Sequence, residues 1–319
     1  MAIAITTTSA IWFVMARCGW SFRSLLMTCT GWKSRDRPLL MPGISLPCSS
    51  ACWTTPASSS HLRRILDMVC SLAESYHNKS AIYDSARPSY PLPAIEFIHN
   101  QLDLSSGLPV LDVGAGTGIL TRQLAQTGMP VVGVEPDVQM LAKARAGTEA
   151  PNASFRNATA EQTGFASGSV SAVVCGQSFH WFDPGKTQAE FRRVLATENP
   201  VFLVWNIRSP DCDGFHRDYE QLLLNQFERY EETLQIDQCL EDRLRRFFDG
   251  SYEERTFVNS QQLSASGLLE RTMSCSYAMH VGAPEYDSAS RALNALHQQY
   301  RQNDVVSMIY KTRVVYGRL

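Results

Sequence analysis

The residues with the clearest chemical meaning lie between positions 110 and 121, where an apolar run ends in a glycine-rich turn. Asp112 comes first, and Gly114, Gly116 and Gly118 follow at alternate positions. A glycine-rich turn after a strand lets the backbone approach a ligand closely. In a parallel sheet such a turn lies at the carboxyl end of the strand, where ligands bind. This stretch therefore predicts a small-molecule site.

Two common phosphate-binding patterns do not fit the turn. A dinucleotide fingerprint needs a third glycine where the chain has Ile119, and a Walker A loop needs a Gly-Lys-Ser/Thr sequence that is missing here. The carboxylate of Asp112 would repel a pyrophosphate, but it suits a cationic amine. Glu135, at the end of the next predicted strand, can accept hydrogen bonds from the two hydroxyls of a ribose. S-adenosylmethionine (SAM) has a ribose, an amine and no phosphate, so it fits these residues, whereas NAD fits them poorly.

At these residues the chain resembles the class I SAM-dependent methyltransferases. The resemblance covers roughly residues 76–210 and is carried by LDVGAGTGILT, VVGVEPDVQML, NATAEQTGF, SVSAVVCGQSFHWFD and EFRRVLATENPVFLVWN. The stretch YDSARPSYP at 83–91 is similar to a leading element of trans-aconitate methyltransferase-like proteins, a small-molecule branch with a methyltransferase type 11 domain. The resemblance implies SAM as the cofactor and a small molecule as the methyl acceptor.

The resemblance also implies a set of cofactor contacts. Asp112 and the three glycines correspond to the cradle for the methionine part of SAM, and Glu135 corresponds to the residue that binds its ribose. Met140 is expected near the adenine. The remaining expected contacts are the Ala-Glu pair beside the adenine edge and one residue facing the methionine end and the acceptor: Ala160, Glu161 and Gln177.

The acceptor side of the site is less sharply defined by pattern. His180 follows the predicted strand at 169–177 and is the candidate general base, with pocket lining as the alternative. Trp181 could present an aromatic face to a sulfonium cation or pack in the core. Arg87 could pair with a carboxylate of a ligand or with a structural acid. The further pocket candidates, which rest on position, are Tyr83 and Asn206, with Arg208 just beyond.

Methyl transfer from a sulfonium is an in-line displacement, so most of the catalysis is expected to come from positioning. A carboxylate or hydroxyl oxygen is the favoured acceptor, and a carboxylate needs no base. Two alternatives remain open at this point. A non-catalytic protein of the same fold is disfavoured by the intact glycine turn and Glu135, and a nicotinamide-dependent oxidoreductase is disfavoured by Ile119.

Alternating strand and helix patterns surround these residues. Strands are predicted at 108–114, 130–136, 169–177, 200–206 and 305–319, and helices at 93–102, 119–128, 138–147, 187–196, 215–235 and 237–248. Such alternation predicts an α/β, Rossmann-like, doubly wound and mostly parallel sheet with helices on both faces. The resemblance adds seven strands with the last one antiparallel, and the late helices predict an insertion or cap in the C-terminal part.

The first 67 residues differ from the rest of the 319-residue chain. They hold four of the six tryptophans and seven basic against two acidic residues, without a helical or strand period. We interpret 1–67 as an atypical extension, disordered or non-native. The methyltransferase domain is predicted at 68–319, with a SAM-binding core at about 93–206 and an acceptor-shaping part at about 207–319.

Charge and composition exclude several classes of partner. The net charge is −2, and residues 68–319 carry 22 basic against 29 acidic side chains, which disfavours nucleic acid. No apolar run reaches the length of about 18 residues that a membrane span needs. The scattered cysteines predict no metal site. A cytoplasmic location is expected, with a mitochondrial one left open by the basic N-terminus, and the oligomeric state is not indicated.

Overall fold

The computed structural model describes residues 86–197, 199–210, 212–231, 233–234 and 240–319. All of them lie in one compact unit, Glu74–Leu319. The interpretation of residues 1–67, the domain start at 68 and the pocket candidate Tyr83 lie outside the described residues.

A seven-stranded sheet organises the described part of the chain. Its strands are β1 (Val110–Val113), β2 (Val131–Val134), β3 (Ala153–Arg156), β4 (Ala172–Gly176), β5 (Val201–Arg208), β6 (Glu253–Leu263) and β7 (Val306–Gly317). They lie in the order β3-β2-β1-β4-β5-β7-β6. The first five strands run parallel, and β7 is antiparallel to both of its neighbours. This confirms the predicted sheet, and its strand order reverses between β1 and β4, the switch point at which ligands bind.

Helices cover both faces of the sheet, as predicted. They are α1 (Leu92–Asn100), α2 (Ile119–Ala125), α3 (Val138–Ala146), α4 (Pro184–Val194), α5 (Gly214–Gln226), α6 (Leu240–Phe247), α7 (Ala265–Met273) and α8 (Tyr286–Tyr300). Side chains alternate along each strand, so Leu111 packs with Phe191 of α4 on one face. Val110 packs with Ile98 of α1 and Leu124 of α2 on the other.

The remaining helices α5, α7 and α8 form a cap at the carboxyl edge of the parallel strands. Because β7 runs antiparallel, Tyr310 near its start pairs with Arg208 at the end of β5. The cap residues Tyr219, Leu268 and Leu293 share one buried cluster with Tyr310. A helical cap is therefore present. Helix α6 is not part of the cap, because its Leu244 and Phe247 pack on the sheet beside α4. Its position differs from the expectation that residues after about 207 shape the acceptor pocket.

Several elements differ from the sequence-based prediction. Strand β6 was missed because its residues are almost all polar and it forms an exposed edge of the sheet. Strand β3, at the other edge of the sheet, was also missed, and it is only four residues long. The helices α7 and α8 were also missed, and the helix predicted at 215–235 ends at Gln226, since Phe227 has an extended backbone. In the described ranges, we find no helix that combines the length and apolar character needed to cross a membrane.

Candidate cofactor and acceptor site

The glycine turn after β1 has the backbone geometry that its sequence predicts. Gly114, Gly116 and Gly118 have φ angles of 74°, 56° and 84°, in the left-handed region that favours glycine. A Cβ atom on Gly114 would lie 2.4 Å from the Cβ of Ser178, and one on Gly118 would lie 2.9 Å from the ring of Phe155. A Cβ on Gly116 would meet no atom within 4 Å. Packing thus requires the first and third glycines, while the middle one borders open space that a ligand can fill.

Asp112 lies beneath this turn with one carboxylate oxygen already bonded. The residue is 1% exposed, and its Oδ2 accepts a hydrogen bond of 2.6 Å from the Thr121 hydroxyl. Its Oδ1 is buried and has no hydrogen-bond partner among the described residues. Burial raises the pKa of Asp112 to about 6. Since buried polar atoms normally have partners, Oδ1 fits a site for the ammonium group of SAM.

Glu135 is held in place at the end of β2 by two backbone N–H groups. Its Oε2 accepts from Gly116 at 2.8 Å and its Oε1 accepts from Asp137 at 2.9 Å. Burial raises the pKa of Glu135 to about 7. Each carboxylate oxygen keeps a further lone pair, so the side chain is fixed and can still accept from ribose hydroxyls. The structure therefore brings Asp112, the glycines and Glu135 together.

The residues expected beside the adenine are ordered in the same region. Met140 is buried in the first turn of α3, where Asp137 caps the helix and accepts from the Met140 N–H. Ala160 is buried as well. The carboxylate of Glu161 accepts a hydrogen bond of 3.0 Å from the Asp183 N–H, which ties it to the turn after β4. Contacts of Met140, Ala160 and Glu161 with an adenine stay predictions.

Gln177 stands at the carboxyl end of β4 with a strained backbone. Its φ of 54° is unusual for a residue with a side chain, and such strain is concentrated at functional sites. Its side-chain amide donates to the Asn206 carbonyl oxygen at 3.1 Å. The next residue, Ser178, donates from its hydroxyl to the Val113 carbonyl oxygen at 2.7 Å. Gln177 therefore adjoins a residue that is bonded to the end of β1, and its contact with the methionine end stays a prediction.

His180 and Trp181 belong to a short 3-10 turn, Phe179–Trp181, that follows Gln177. Their ring centroids are 4.6 Å apart. Burial and the charges of Arg243 and Arg87 lower the pKa of His180 to about 4. A general base works best with a pKa near the working pH, so this environment favours pocket lining for His180, the alternative to its predicted catalytic role.

Arg87 and Asn206 make structural contacts near this turn. Arg87 donates to the Ser274 carbonyl oxygen at 2.9 Å. The amide group of Asn206 donates to the Ser89 carbonyl oxygen at 3.2 Å, while its oxygen accepts from Thr312 and Asn259. Because these bonds occupy the polar atoms of Asn206, they favour a positioning role over the predicted contact with the acceptor, which stays a prediction.

The sequence analysis did not predict a cluster of arginine residues at the cap. Arg208, at the end of β5, donates to the Tyr230 hydroxyl at 2.6 Å and lies 3.4 Å from the Glu220 carboxylate. Its Nη1 is buried with no hydrogen-bond partner in the described ranges. Arg271 of α7 donates to the Tyr310 hydroxyl at 3.0 Å. The only sequence signal was the position of Arg208 just after a strand.

Arg87 and Arg271 meet at neighbouring residues, since Arg87 donates to the Ser274 carbonyl oxygen and Arg271 to the Cys275 sulfur, each at 2.9 Å. Burial raises the pKa of Cys275, but the charges of Arg271, Arg87 and Arg208 outweigh it and lower the pKa to about 6. We call Arg87, Arg208 and Arg271 the arginine cluster. It joins the cap to the segment carrying Arg87, whose charge also acts on His180.

One group of side chains in the described ranges has the composition of a metal site, Cys212, Asp213 and His216. The His216 Nδ1 lies 2.8 Å from the Asp213 carboxylate, and its Nε2 accepts from the Ile309 N–H at 2.8 Å. Both ring nitrogens are thus used in joining α5 to its capping residue and to β7. This arrangement does not fit a metal ligand.

Comparisons with known proteins agree with this geometry. Residues 111–202 match the family model of a methyltransferase domain. An uncharacterized methyltransferase of Mycobacterium tuberculosis is 38% identical over 144 residues, which are 44% of this chain and 57% of that protein. An uncharacterized methyltransferase of Schizosaccharomyces pombe is 32% identical over 138 residues, 43% of this chain and 54% of that protein. The chain thus spans little more than half the length of these relatives.

The fold also matches a solved structure. A candidate type II methyltransferase of Anaeromyxobacter dehalogenans superposes with a TM-score of 0.53 at 22% identity, covering 73% of this chain and 97% of that one. This likeness supports the fold, and the family match identifies the domain. Together they agree with the prediction of a methyltransferase domain of this fold, with the family match covering residues 111–202. The narrower likeness to trans-aconitate methyltransferase-like proteins stays a prediction.

Proposed function

We propose that this chain transfers the methyl group of SAM to an oxygen atom of a small acidic molecule, with a carboxylate favoured over a hydroxyl. When bound, SAM supplies an electrophilic methyl group on a sulfonium. The acceptor oxygen forms the new O–CH₃ bond as the S–CH₃ bond breaks, and S-adenosylhomocysteine leaves. The observation that carries this proposal is the arginine cluster at the cap, where Arg208 at the end of β5 keeps a buried Nη1 without a hydrogen-bond partner among the described residues.

The cofactor side of the site has residues that bind and orient. Asp112 offers a buried carboxylate oxygen to an ammonium group, and Glu135 offers two fixed oxygens to a ribose. The open space at Gly116 admits the ligand to the backbone. Holding reactants in line can supply roughly 7–11 kcal/mol of the barrier reduction, so these binding contacts also support catalysis.

The acceptor side is rich in positive charge. Arg208 is paired with one carboxylate, Glu220, and keeps a buried Nη1 without a partner in the described ranges. Arg271 donates to the Tyr310 hydroxyl and to the sulfur of Cys275, which is a thiolate at neutral pH because its pKa is lowered to about 6. Since a buried N–H donor without a hydrogen-bond partner is costly, the Nη1 of Arg208 favours a ligand with an anionic oxygen. Guanidinium forks match the geometry of a carboxylate.

The environment of His180 also favours a carboxylate acceptor. A hydroxyl acceptor must lose a proton, and a histidine whose pKa is about 4 is a weak base at neutral pH. A carboxylate arrives without a proton at that pH. In this proposal His180 lines the acceptor pocket, and Trp181, 38% exposed, forms part of the same wall.

The alternatives predict different results with the full chain. A non-catalytic protein of this fold would bind S-adenosylhomocysteine but transfer no label from methyl-labelled SAM to a panel of carboxylic acids, phenols and amines. A nicotinamide-dependent oxidoreductase would bind NAD and not S-adenosylhomocysteine in calorimetric titrations. We expect S-adenosylhomocysteine binding and label transfer to carboxylic acids. Label found on amines alone would overturn the proposed acceptor class.

Replacing Arg208 by methionine is expected to raise the KM for a carboxylic acid found in that panel by tenfold or more. The reason is that a hydrogen bond to a charged group contributes about 1.5–3 kcal/mol. The dissociation constant of S-adenosylhomocysteine should change less than about twofold, because Arg208 lies outside the glycine turn. Arg208→Lys keeps the charge but not the planar fork, so its KM should lie between those of the wild type and Arg208→Met.

Arg217→Met is the matched control, since Arg217 is exposed on α5 and its loss removes the same charge. Thermal melting of each variant reports whether the cap stays folded. An unchanged KM in a folded Arg208→Met or Arg208→Lys protein would contradict the proposed role of the arginine cluster.

A further inference from the structure

The guanidinium group of Arg243 contacts three backbone carbonyl groups of the turn after β4. Its Nη1 donates to the His180 oxygen at 3.1 Å, and its Nη2 donates to the oxygens of Phe182 at 2.9 Å and Phe179 at 3.3 Å. The same group lies 5.4 Å from the centroid of the Phe179 ring. The Phe179 oxygen also accepts from the Phe182 N–H within the turn, at 3.2 Å. Arg243 donates to all three carbonyl groups from a helix that is more than 60 residues away in the chain.

Other contacts connect this turn to the cofactor side. The Ser178 hydroxyl donates to the last residue of β1, and the Asp183 N–H donates to Glu161. The ring of Phe182 approaches within 3.3 Å of the position that a Cβ on Gly114 would take. The turn from 178 to 183 therefore packs directly against the glycine turn.

Helix α6 gives Arg243 a rigid base. Leu244 and Phe247 are buried on the sheet beside α4, and the Phe247 ring lies 4.8 Å from that of Phe179. The amide of Gln188 in α4 donates to the Phe247 carbonyl oxygen at 2.7 Å. Because α6 packs on the sheet face rather than in the cap, Arg243 is anchored to the same core as the cofactor-binding strands.

We propose that Arg243 is a positioning residue of the SAM site, which holds the turn at 178–183 against the glycine turn through its three carbonyl contacts. It acts through the turn and need not touch the cofactor. This inference rests on the proposed function, because it assumes that the glycine turn binds SAM. Residues from about 207 to 319 were expected to shape the acceptor pocket, and this inference gives one of them a role on the cofactor side.

The positive charge of Arg243 has a second, separable effect on His180. The groups that lower the pKa of His180 are its buried surroundings, Arg243 and Arg87. Removing the charge of Arg243 should therefore raise the pKa of His180. A lysine in its place keeps the charge, but a single ammonium group cannot reproduce the planar fork that spans three carbonyl groups.

The test compares Arg243→Met, Arg243→Lys and the control Arg246→Met in the full chain. Arg246 lies on the same helix with an exposed side chain, so its loss removes the same charge from α6. Calorimetry measures the dissociation constant of S-adenosylhomocysteine, and NMR titration of the imidazole C–H signals measures the pKa of His180. Circular dichroism and thermal melting verify that each variant is folded.

We expect Arg243→Met to weaken S-adenosylhomocysteine binding about tenfold and to raise the pKa of His180. Arg243→Lys should weaken binding nearly as much while leaving the His180 pKa low, and Arg246→Met should change neither. Wild-type affinity in folded Arg243→Lys, or in folded Arg243→Met, would overturn the positioning role. Failure of the wild-type protein to bind S-adenosylhomocysteine would overturn the proposed function itself.

Discussion

Replacing Gly116 by alanine is expected to weaken S-adenosylhomocysteine binding by tenfold or more while leaving the protein folded. The added methyl group meets no protein atom within 4 Å, so it clashes with nothing in the fold. It does occupy the open space at the glycine turn, where the ligand must approach the backbone. A left-handed φ of 56° costs an alanine about 1–2 kcal/mol, which a folded domain can tolerate.

A matched control separates backbone strain from occupation of the site. Gly107 has a φ of 65°, and a Cβ there also meets no atom within 4 Å, but it lies in the turn before β1. Gly107→Ala should lower the melting temperature by a similar amount and leave the affinity unchanged. Equal affinity losses in Gly116→Ala and Gly107→Ala would show that strain, and not the ligand space, explains the effect. Calorimetric titration and thermal melting of both variants supply the two measurements.

The cofactor side could be predicted from sequence because its signals are local. A left-handed backbone favours glycine, so Gly114, Gly116 and Gly118 mark the turn directly. Asp112 and Glu135 stand at the ends of two apolar strands, and parallel strands bring their carboxyl ends to one edge. Three short-range features of the chain are therefore enough to indicate the ligand chemistry.

The acceptor side could not be predicted in this way, because it depends on contacts between distant residues. Arg208 and Arg271 come together only through β7, whose antiparallel register places Tyr310 opposite Arg208. The helix that carries Arg271 follows β6, a polar edge strand with no apolar alternation to reveal it. The contacts of Arg243 likewise depend on α6 packing beside α4, which its sequence pattern does not specify.

The contribution of Asp112 and Glu135 to the stability of the ligand-free protein is expected to fall as the pH rises from about 4 to about 7. His180, whose pKa is lowered to about 4, contributes in the opposite direction. Glu135 and Asp112 have ordinary pKa values of 4.5 and 3.8, and burial raises them in the fold to about 7 and about 6. Between these values the two carboxyl groups bind more protons in the native state than in the unfolded state, so their contribution to the free energy of unfolding decreases with pH. Below pH 4 both states are protonated, and above pH 7 the loss is complete. Each group contributes on the order of 3 kcal/mol at most.

Affinity for S-adenosylhomocysteine should change in the opposite direction over the same range. An ammonium group and ribose hydroxyls favour the ionised forms of Asp112 and Glu135, so binding should tighten by about tenfold between pH 6 and pH 8. The ligand thus offsets the cost of two buried carboxylates that the empty fold would otherwise keep protonated. Denaturant unfolding and calorimetry across pH 4–8 measure the two trends.

Asp112→Asn identifies the contribution of one carboxyl group to both trends. Its side chain cannot ionise, so the free energy of unfolding of the ligand-free variant, measured relative to the wild type, should increase between pH 4 and pH 6. Binding should be weaker at pH 8 and should depend less on pH, because the ammonium group loses its anionic partner. A wild-type pH profile in folded Asp112→Asn, for stability and binding alike, would rule out a role for this buried carboxylate in cofactor binding.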